Sequence, residues 1–335
     1  MKAAYIEQFG LQNLKYDKQP EPELRPGCVL VKMEAVSLNY LDLVIIGGKF
    51  LTQIPMPHIP GCEGSGVIDA IGAGVTQWQT GDRVTIHYMQ KWQSGKIEPQ
   101  MIRERAGVFL KGLLAEYAVI PEYALVKTPA TLTSIQACTL PVAGLTAWSG
   151  LVELAKIKPG NTVLTLGTGG VSIFALQIAK MMGCRVIAIT SSAVKAEKLK
   201  DLGADIVINY KENPDWHKAI MEHTAGKGVD AVLDVVGGNT FSQCISAIKL
   251  NGFVGIVGLL ENHLASFNIF EAIYKAATIK VVAVGSKEGF GRLIEAINLN
   301  NIAPVIDKVY QLDEIEGALN YLKDGAHFGK IVIQI

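Results

Sequence analysis

The residues best spaced for chemistry in this chain lie in Val163–Lys180, which reads VLTLGTGGVSIFALQIAK. A β-branched apolar run ends at Gly167, Gly169 and Gly170 follow, and a helix-period pattern then runs through Ile173, Leu176, Gln177 and Lys180. That order predicts a strand, a tight turn and a helix N-terminus. Backbone N–H groups from Gly167, Thr168, Gly169, Gly170 and Val171, with the positive end of the helix dipole, would face an anion such as a phosphate. Against the pattern G-x-G-x-x-G the match is Gly167, Gly169 and then Ser172, whose small side chain still allows close helix–strand packing. The alternative is a surface turn without a ligand.

The elements around this turn strengthen the binding reading. Downstream the chain alternates predicted strands and helices, with strands at Arg185–Thr190, Ala204–Tyr210, Val229–Gly238, Gly252–Leu260 and Ile279–Ser286. This is the pattern of an α/β, doubly wound parallel sheet, which takes its ligand at the carboxyl ends of the strands.

The second strand of such a sheet ends near the adenosine ribose, where a carboxylate selects NAD. Here no Asp or Glu occurs between Arg185 and Ala196, and Ser191, Ser192 and Lys195 stand in that place. Hydroxyls donate to phosphate oxygens and the ammonium supplies a compensating charge, so the expected cofactor is NADP(H). Ser191 and Ser192 would serve equally as helix N-caps, and the two roles are compatible. Tyr210, at the end of the third strand, would flank the adenine or simply pack.

With 335 residues the chain suggests two domains. Basic and acidic residues balance at 31 each with no basic stripe, which argues against nucleic acid as the main partner. Unbroken apolar stretches such as Phe253–Leu260 are far shorter than the ~20 residues of a membrane span. The start MKAAYIEQFG lacks the apolar core of a signal peptide and reads as a strand. Five scattered cysteines without a C-x-x-C pair fit reduced thiols and a cytoplasmic setting.

The first 125 or so residues differ in texture. Short alternating strands at Lys2–Glu7, Cys28–Ser37, Gly66–Ile71, Arg83–Tyr88 and Ala115–Ile120 are separated by turn signals, which predicts a compact β domain. Met89–Gly112 reads as a long irregular loop, and Lys287–Asn300 as a helix. Val305–Gln311 and Lys330–Ile335 are short β segments that need partners elsewhere.

A β domain, a doubly wound domain and a tail returning to the first resemble the medium-chain dehydrogenase/reductase superfamily. The residues that carry the resemblance are Asn39-Tyr-Leu-Asp42, Pro60-Gly-Cys-Glu-Gly-Ser-Gly66, Gly81-Asp-Arg-Val84, Leu140-Pro-Val-Ala-Gly-Leu-Thr-Ala147, Gly167–Ser172 and His327-Phe-Gly-Lys330. Within the superfamily the chain is most similar to the zinc-free, quinone-oxidoreductase-like branch. The resemblance implies a GroES-like catalytic domain over 1–128, a Rossmann NADP-binding domain over 129–286, and a return segment over 287–335. It also implies a nicotinamide cofactor in the cleft and a homodimer built through the Rossmann sheets.

By the same resemblance, zinc-dependent relatives place a Cys at Asn39, a His at Cys62 and a Cys at Val142. Catalytic zinc needs three protein ligands, and only Cys62 can serve here, so no metal is expected. Without a Lewis acid, hydride transfer to a quinone or an α,β-unsaturated carbonyl compound is the expected chemistry, with donors meeting the charge on oxygen. The resemblance puts Asn39 beside the nicotinamide as the candidate donor, its alternative being a structural amide. Asp42 is expected to be an ionised orienting acceptor. Relatives often carry a Tyr near Phe50, so Tyr40 and Tyr88 are the substitute hydroxyls, with solvent as the alternative proton source. Carried over as cofactor contacts are Thr146, Gly237, Val257-Gly258-Leu259, Val284-Gly285-Ser286 and Phe328-Gly329-Lys330. A metal-free alcohol or aldehyde dehydrogenase and a non-catalytic NADPH-binding sensor are the alternative functions.

Overall fold

A computed structural model of the protein describes residues 1–50, 53–258 and 264–335. The chain divides into two compact units, Met1–Leu145 with Gly285–Ile335, and Thr146–Val284. The expected boundaries at 128 and 286 are therefore shifted. The reason is packing: the helix opening at Ser134 is anchored on the first unit, where the Ser65 hydroxyl donates to the Ser134 carbonyl at 2.7 Å and Val142 N–H reaches Glu63.

In the first unit a seven-stranded sheet runs in the order Ile306–Gln311, Lys330–Gln334, Cys28–Ser37, Glu63–Ile71, Arg83–Ile86 and Leu125–Lys127, with Tyr117–Pro121 also paired to Cys28–Ser37. The two tail strands are parallel to each other, and Lys330–Gln334 then runs antiparallel to Cys28–Ser37. Those late segments thus find the partners their sequence called for. Cys28–Ser37 is the hub because its apolar residues Val29, Val31, Met33, Ala35 and Val36 are all buried. Opposite it sits Gly66, where an added Cβ would lie 2.1 Å from the Lys32 carbonyl, so the bulged pairing tolerates no side chain. A small second sheet pairs Lys2–Ile6 with Leu14–Lys18.

The second unit is a six-stranded, wholly parallel sheet. Its order is Ile206–Asn209, Arg185–Thr190, Thr162–Leu166, Val229–Asp234, Ile248–Ile256 and Thr278–Val281. Chain order reverses between Thr162–Leu166 and Val229–Asp234, which makes their carboxyl ends the switch point where such sheets bind ligands. Leu164, Leu166, Ile187, Ile189, Val232 and Val254 form the core beneath it. The helical run Ser134–Leu154 is apolar and long enough to cross a membrane by length alone, but 83% of its apolar window is buried in protein.

Candidate functional site

Two clusters take up the chemistry-bearing residues, one in each unit. In the second unit, Thr162–Leu166 ends at Gly167, whose φ of +73° makes the turn, and Gly169 precedes the helix Gly170–Met181. A Cβ added at Gly167 or Gly169 would meet nothing within 4 Å, so the turn's surface is open. Ser172, in the third glycine position, donates its hydroxyl to the Leu166 carbonyl at 2.6 Å and ties helix to strand. Helix dipole, N–H groups and open space together fit a dinucleotide pyrophosphate.

Beside this turn, across the switch point, lies a residue the sequence reading passed over. Asp234 is fully buried at the end of its strand. One carboxylate oxygen accepts from the N–H groups of Val236 and Gly237, each at 3.0 Å, and from the Thr240 hydroxyl at 2.9 Å. The N–H groups of Val257 and Gly258 bond its carbonyl at 2.9 and 2.8 Å. Asp234 thereby fixes both loops expected to contact cofactor. A Cβ on Gly258 would lie 2.6 Å from the Gly237 nitrogen, so Gly258 is required by loop-on-loop packing whatever binds above it. Leu259 lies outside the described residues.

At the ribose end, Ser192 caps the helix Ala193–Asp201, its hydroxyl accepting from Lys195 N–H at 3.4 Å. Ser191 and Lys195 are half-buried beside it. Tyr210 is exposed, and its N–H bonds the Thr190 carbonyl at 3.0 Å. Thr146 is buried, and Val284 holds a φ of +62°, a strained conformation for a β-branched residue.

The first unit's cluster is built on a buried ion pair. Lys330 is 3% exposed and its ammonium lies 2.9 Å from Glu63, which is wholly buried. The same ammonium donates to the Leu38 carbonyl at 2.6 Å and to the Asn39 amide oxygen at 2.9 Å. Asn39 in turn donates its NH2 to Glu63 at 2.9 Å and, at 3.4 Å, to the Ser37 carbonyl. The second Glu63 oxygen accepts from Val142 N–H at 2.6 Å, in the π-helical stretch Leu140–Gly144 that Pro141 helps to open. Both polar atoms of Asn39 are thus engaged within the protein.

Lys330, expected to touch the cofactor, turns its side chain inward instead. Its neighbour Gly329, at φ +87°, packs so tightly that a Cβ would lie 2.4 Å from the Val305 carbonyl. Phe328 is buried, and Ser286 caps the helix Lys287–Asn300 by accepting from Gly289 N–H at 3.1 Å; Gly285 opens that half of the unit.

Asp42 sits within the short helix Tyr40–Ile46 and is fully buried. Its carboxylate accepts from Asn39 N–H at 2.8 Å, Gly61 N–H at 3.2 Å and the Cys62 thiol at 3.2 Å. Burial pushes its pKa up to about 6, with the Asn39 and Cys62 bonds opposing the rise, above the ordinary carboxylate value on which the expected ionisation rested. Burial, with the neighbouring Asp42 charge, holds Cys62 well above the usual thiol range. Tyr40 is half-buried at the helix start, whereas Tyr88 is buried beside Cys62 and Asp42.

This donor set does not fit zinc. Asn39 is a neutral amide bonded on both sides, Cys62 keeps its proton, and Val142 has no side-chain donor. The Lys330 ammonium already answers the Glu63 charge. Among the described residues no three His, Cys, Asp or Glu side chains are placed to hold a metal ion.

Glu63 and Lys330 were quoted in sequence motifs, but their partnership was not foreseen. The available signal was an acid opening one apolar strand and a base opening another, since buried charges need partners.

Comparison with known proteins gives a consistent frame. Residues 25–130 match the alcohol dehydrogenase GroES-like domain, and residues 170–299 match the zinc-binding dehydrogenase domain. A zinc-type alcohol dehydrogenase-like protein of Schizosaccharomyces pombe is 36% identical over 333 residues, covering 97% of this chain and 96% of the relative. A 2-methylene-furan-3-one reductase of Solanum lycopersicum is 31% identical, covering 93% of this chain and 73% of its own length. Among solved structures, a provisionally named alcohol dehydrogenase from Sinorhizobium meliloti 1021 superposes with a TM-score of 0.95 at 34% identity, covering 100% of this chain and 98% of that one.

Proposed function

We propose, from the premise that this chain belongs to the medium-chain dehydrogenase/reductase superfamily, that it is an NADPH-dependent oxidoreductase reducing quinones or α,β-unsaturated carbonyl compounds by hydride transfer without a metal. The observation that carries this reading is the Asn39–Glu63–Lys330 network, which spends the would-be metal position on a protein cation. Without a Lewis acid to stabilise an alkoxide, reduction of an activated acceptor is the chemistry best matched to hydrogen-bond donors. The enone reductase among the relatives supports the same substrate class.

In this reading the Gly167–Val171 turn holds the pyrophosphate, and Ser191, Ser192 and Lys195 receive the ribose 2′-phosphate. The bound nicotinamide supplies the hydride. Asn39 is a positioning residue: it joins Lys330 to Glu63 and opens the helix that presents Asp42. The free, buried cysteines support a reducing, cytoplasmic setting. The test is cofactor oxidation with a panel of quinones and enones after dialysis against a chelator. The expected result is NADPH consumption that survives the chelator, with NADPH bound at least tenfold more tightly than NADH, from charge-assisted contacts of about 1.5–3 kcal/mol each. Turnover confined to primary alcohols with NADP⁺, or lost with a bound metal, would replace this reading by alcohol oxidation.

The assembly proposed is a homodimer through the second unit's sheet. Thr278–Val281 pairs on one side with Ile248–Ile256 and, among the described residues, is a sheet edge, and Val281 is 71% exposed. The preceding helix Ile269–Tyr274 buries none of its residues, with Phe270 78% and Tyr274 82% exposed. An unpaired edge flanked by apolar side chains is a pairing surface. The wild-type chain is expected to sediment as a dimer and the double variant Phe270→Glu, Tyr274→Glu as a folded monomer; a monomeric wild type would refute the assignment.

A further inference from the structure

Among the described residues, Asp234 is a fully buried carboxylate that no cation pairs. It is the acceptor in each of its three side-chain contacts, from Val236 N–H, Gly237 N–H and the Thr240 hydroxyl, and all three reach the same oxygen. The other oxygen is buried with no hydrogen-bond partner among the described residues. A carboxyl that only accepts is in its ionised form. The thiol of Cys244, buried in the helix Thr240–Ala247, is pushed well above the usual thiol range by burial and by the Asp234 charge, so it stays neutral and offers no countercharge. Glu63, equally buried, has the Lys330 ammonium at 2.9 Å.

The hydrogen bonds alone do not call for a charge here. In an asparagine the amide oxygen would accept the same three donors, and the NH2 would replace the oxygen that has none. A full charge taken out of water without a counterion is costly, so the missing countercharge is expected from what binds nearby. Backbone separates the carboxylate from the open ends of the strands. The segment that donates to it turns at Gly237 and Gly238, with φ +81° and +59°, and Val257 and Gly258 pack beside it through their bonds to the Asp234 carbonyl. Val236, Gly237, Val257 and Gly258 are each half-buried, so the outer side of this backbone meets solvent. In the sheet, Arg185–Thr190, Thr162–Leu166 and Val229–Asp234 follow one another. With the ribose 2′-phosphate at the first and the pyrophosphate at the second, an extended dinucleotide continues over the third.

We infer that Asp234 is a positioning residue whose buried negative charge makes the protein hold the oxidised, cationic nicotinamide ring in preference to the reduced, neutral one, acting through the Val236–Gly237 backbone. The inference rests on the cofactor placement proposed above. The two ring states differ by one hydride, a proton with two electrons, which passes to the quinone or enone. A protein that binds the oxidised state more tightly makes the bound cofactor a stronger reductant, the direction in which the proposed reaction runs. Opposite unit charges ~10 Å apart at an effective dielectric constant near 20 attract enough for a little over tenfold in affinity. Tenfold is about 30 mV for a two-electron couple.

Calorimetric titration with NADP⁺, NADPH and the ringless fragment 2′-phospho-ADP-ribose tests this in wild type and Asp234→Asn, beside a thermal melt of each. In wild type the oxidised ring is expected to add about tenfold more affinity over the fragment than the reduced ring does. Asp234→Asn should weaken NADP⁺ about tenfold relative to NADPH and leave the fragment bound as before. A role confined to shaping the loops would move both dinucleotides together, so an unchanged NADP⁺/NADPH ratio in a folded Asp234→Asn overturns the proposal. Where the variant does not fold, the wild type decides: a reduced ring that adds as much affinity as the oxidised one overturns it equally. Loss of the ratio effect with the fragment still bound sinks this inference alone, whereas a wild type that binds neither fragment nor dinucleotide sinks the cofactor placement with it.

Discussion

Gly169→Asp is expected to weaken NADPH binding at least a hundredfold while leaving the fold as stable as before or more so. Gly169 is the N-cap of Gly170–Met181, with φ −75° and ψ 176°, a conformation any residue adopts. A Cβ there meets nothing within 4 Å, so the substitution fits. Asp is among the best N-caps and suits the positive end of a helix dipole. Its carboxylate would then occupy the space proposed for the pyrophosphate. Two like charges about 4 Å apart cost on the order of 4 kcal/mol near a protein surface, more than a hundredfold in affinity. Fluorescence titration of NADPH beside a thermal melt measures both quantities. An unchanged dissociation constant would mean that the phosphates bind elsewhere.

Lys330→Met should be the most damaging substitution for stability, costing about 3–5 kcal/mol, because it strands the Glu63 carboxylate without its buried countercharge. The Leu38 carbonyl and the Asn39 amide oxygen lose a donor in the same step. Adding Glu63→Gln should restore a large part of the loss, since removal of both charges also removes the desolvation penalty. Urea unfolding of the wild type, the single variant and the double variant at neutral pH gives the three values. A single variant within about 1 kcal/mol of wild type would contradict a fully desolvated pair.

How much of this was legible beforehand follows from the range of the forces involved. Arg185–Thr190 and Cys28–Ser37 appear at their expected bounds, and so does the helix Lys287–Asn300. In each, the apolar period and the flanking turn or cap residues lie within a few positions, so local sequence carries the signal. Ser172 could be read for the same reason: its hydroxyl bonds Leu166, six positions back in the same turn. The helix Tyr40–Ile46 was not foreseen, because seven residues that are mostly apolar show no amphipathic period. The domain boundary shifted because the helix starting at Ser134 is held by Ser65 and Glu63, which no neighbouring residue announces.

The sequence by itself determined the doubly wound sheet, the open glycine turn, the missing ribose carboxylate and the unsuitability of Asn39 and Val142 as zinc ligands, since each is a matter of residue type or short-range period. Only the tertiary structure decided what the polar residues do with their hydrogen bonds. It turned Lys330 inward onto Glu63, engaged both atoms of Asn39, raised the Asp42 carboxyl by burial and set Arg105 between two phenylalanines. Burial and pairing depend on which distant segments meet, and a charge removed from water is governed by the partner it meets there.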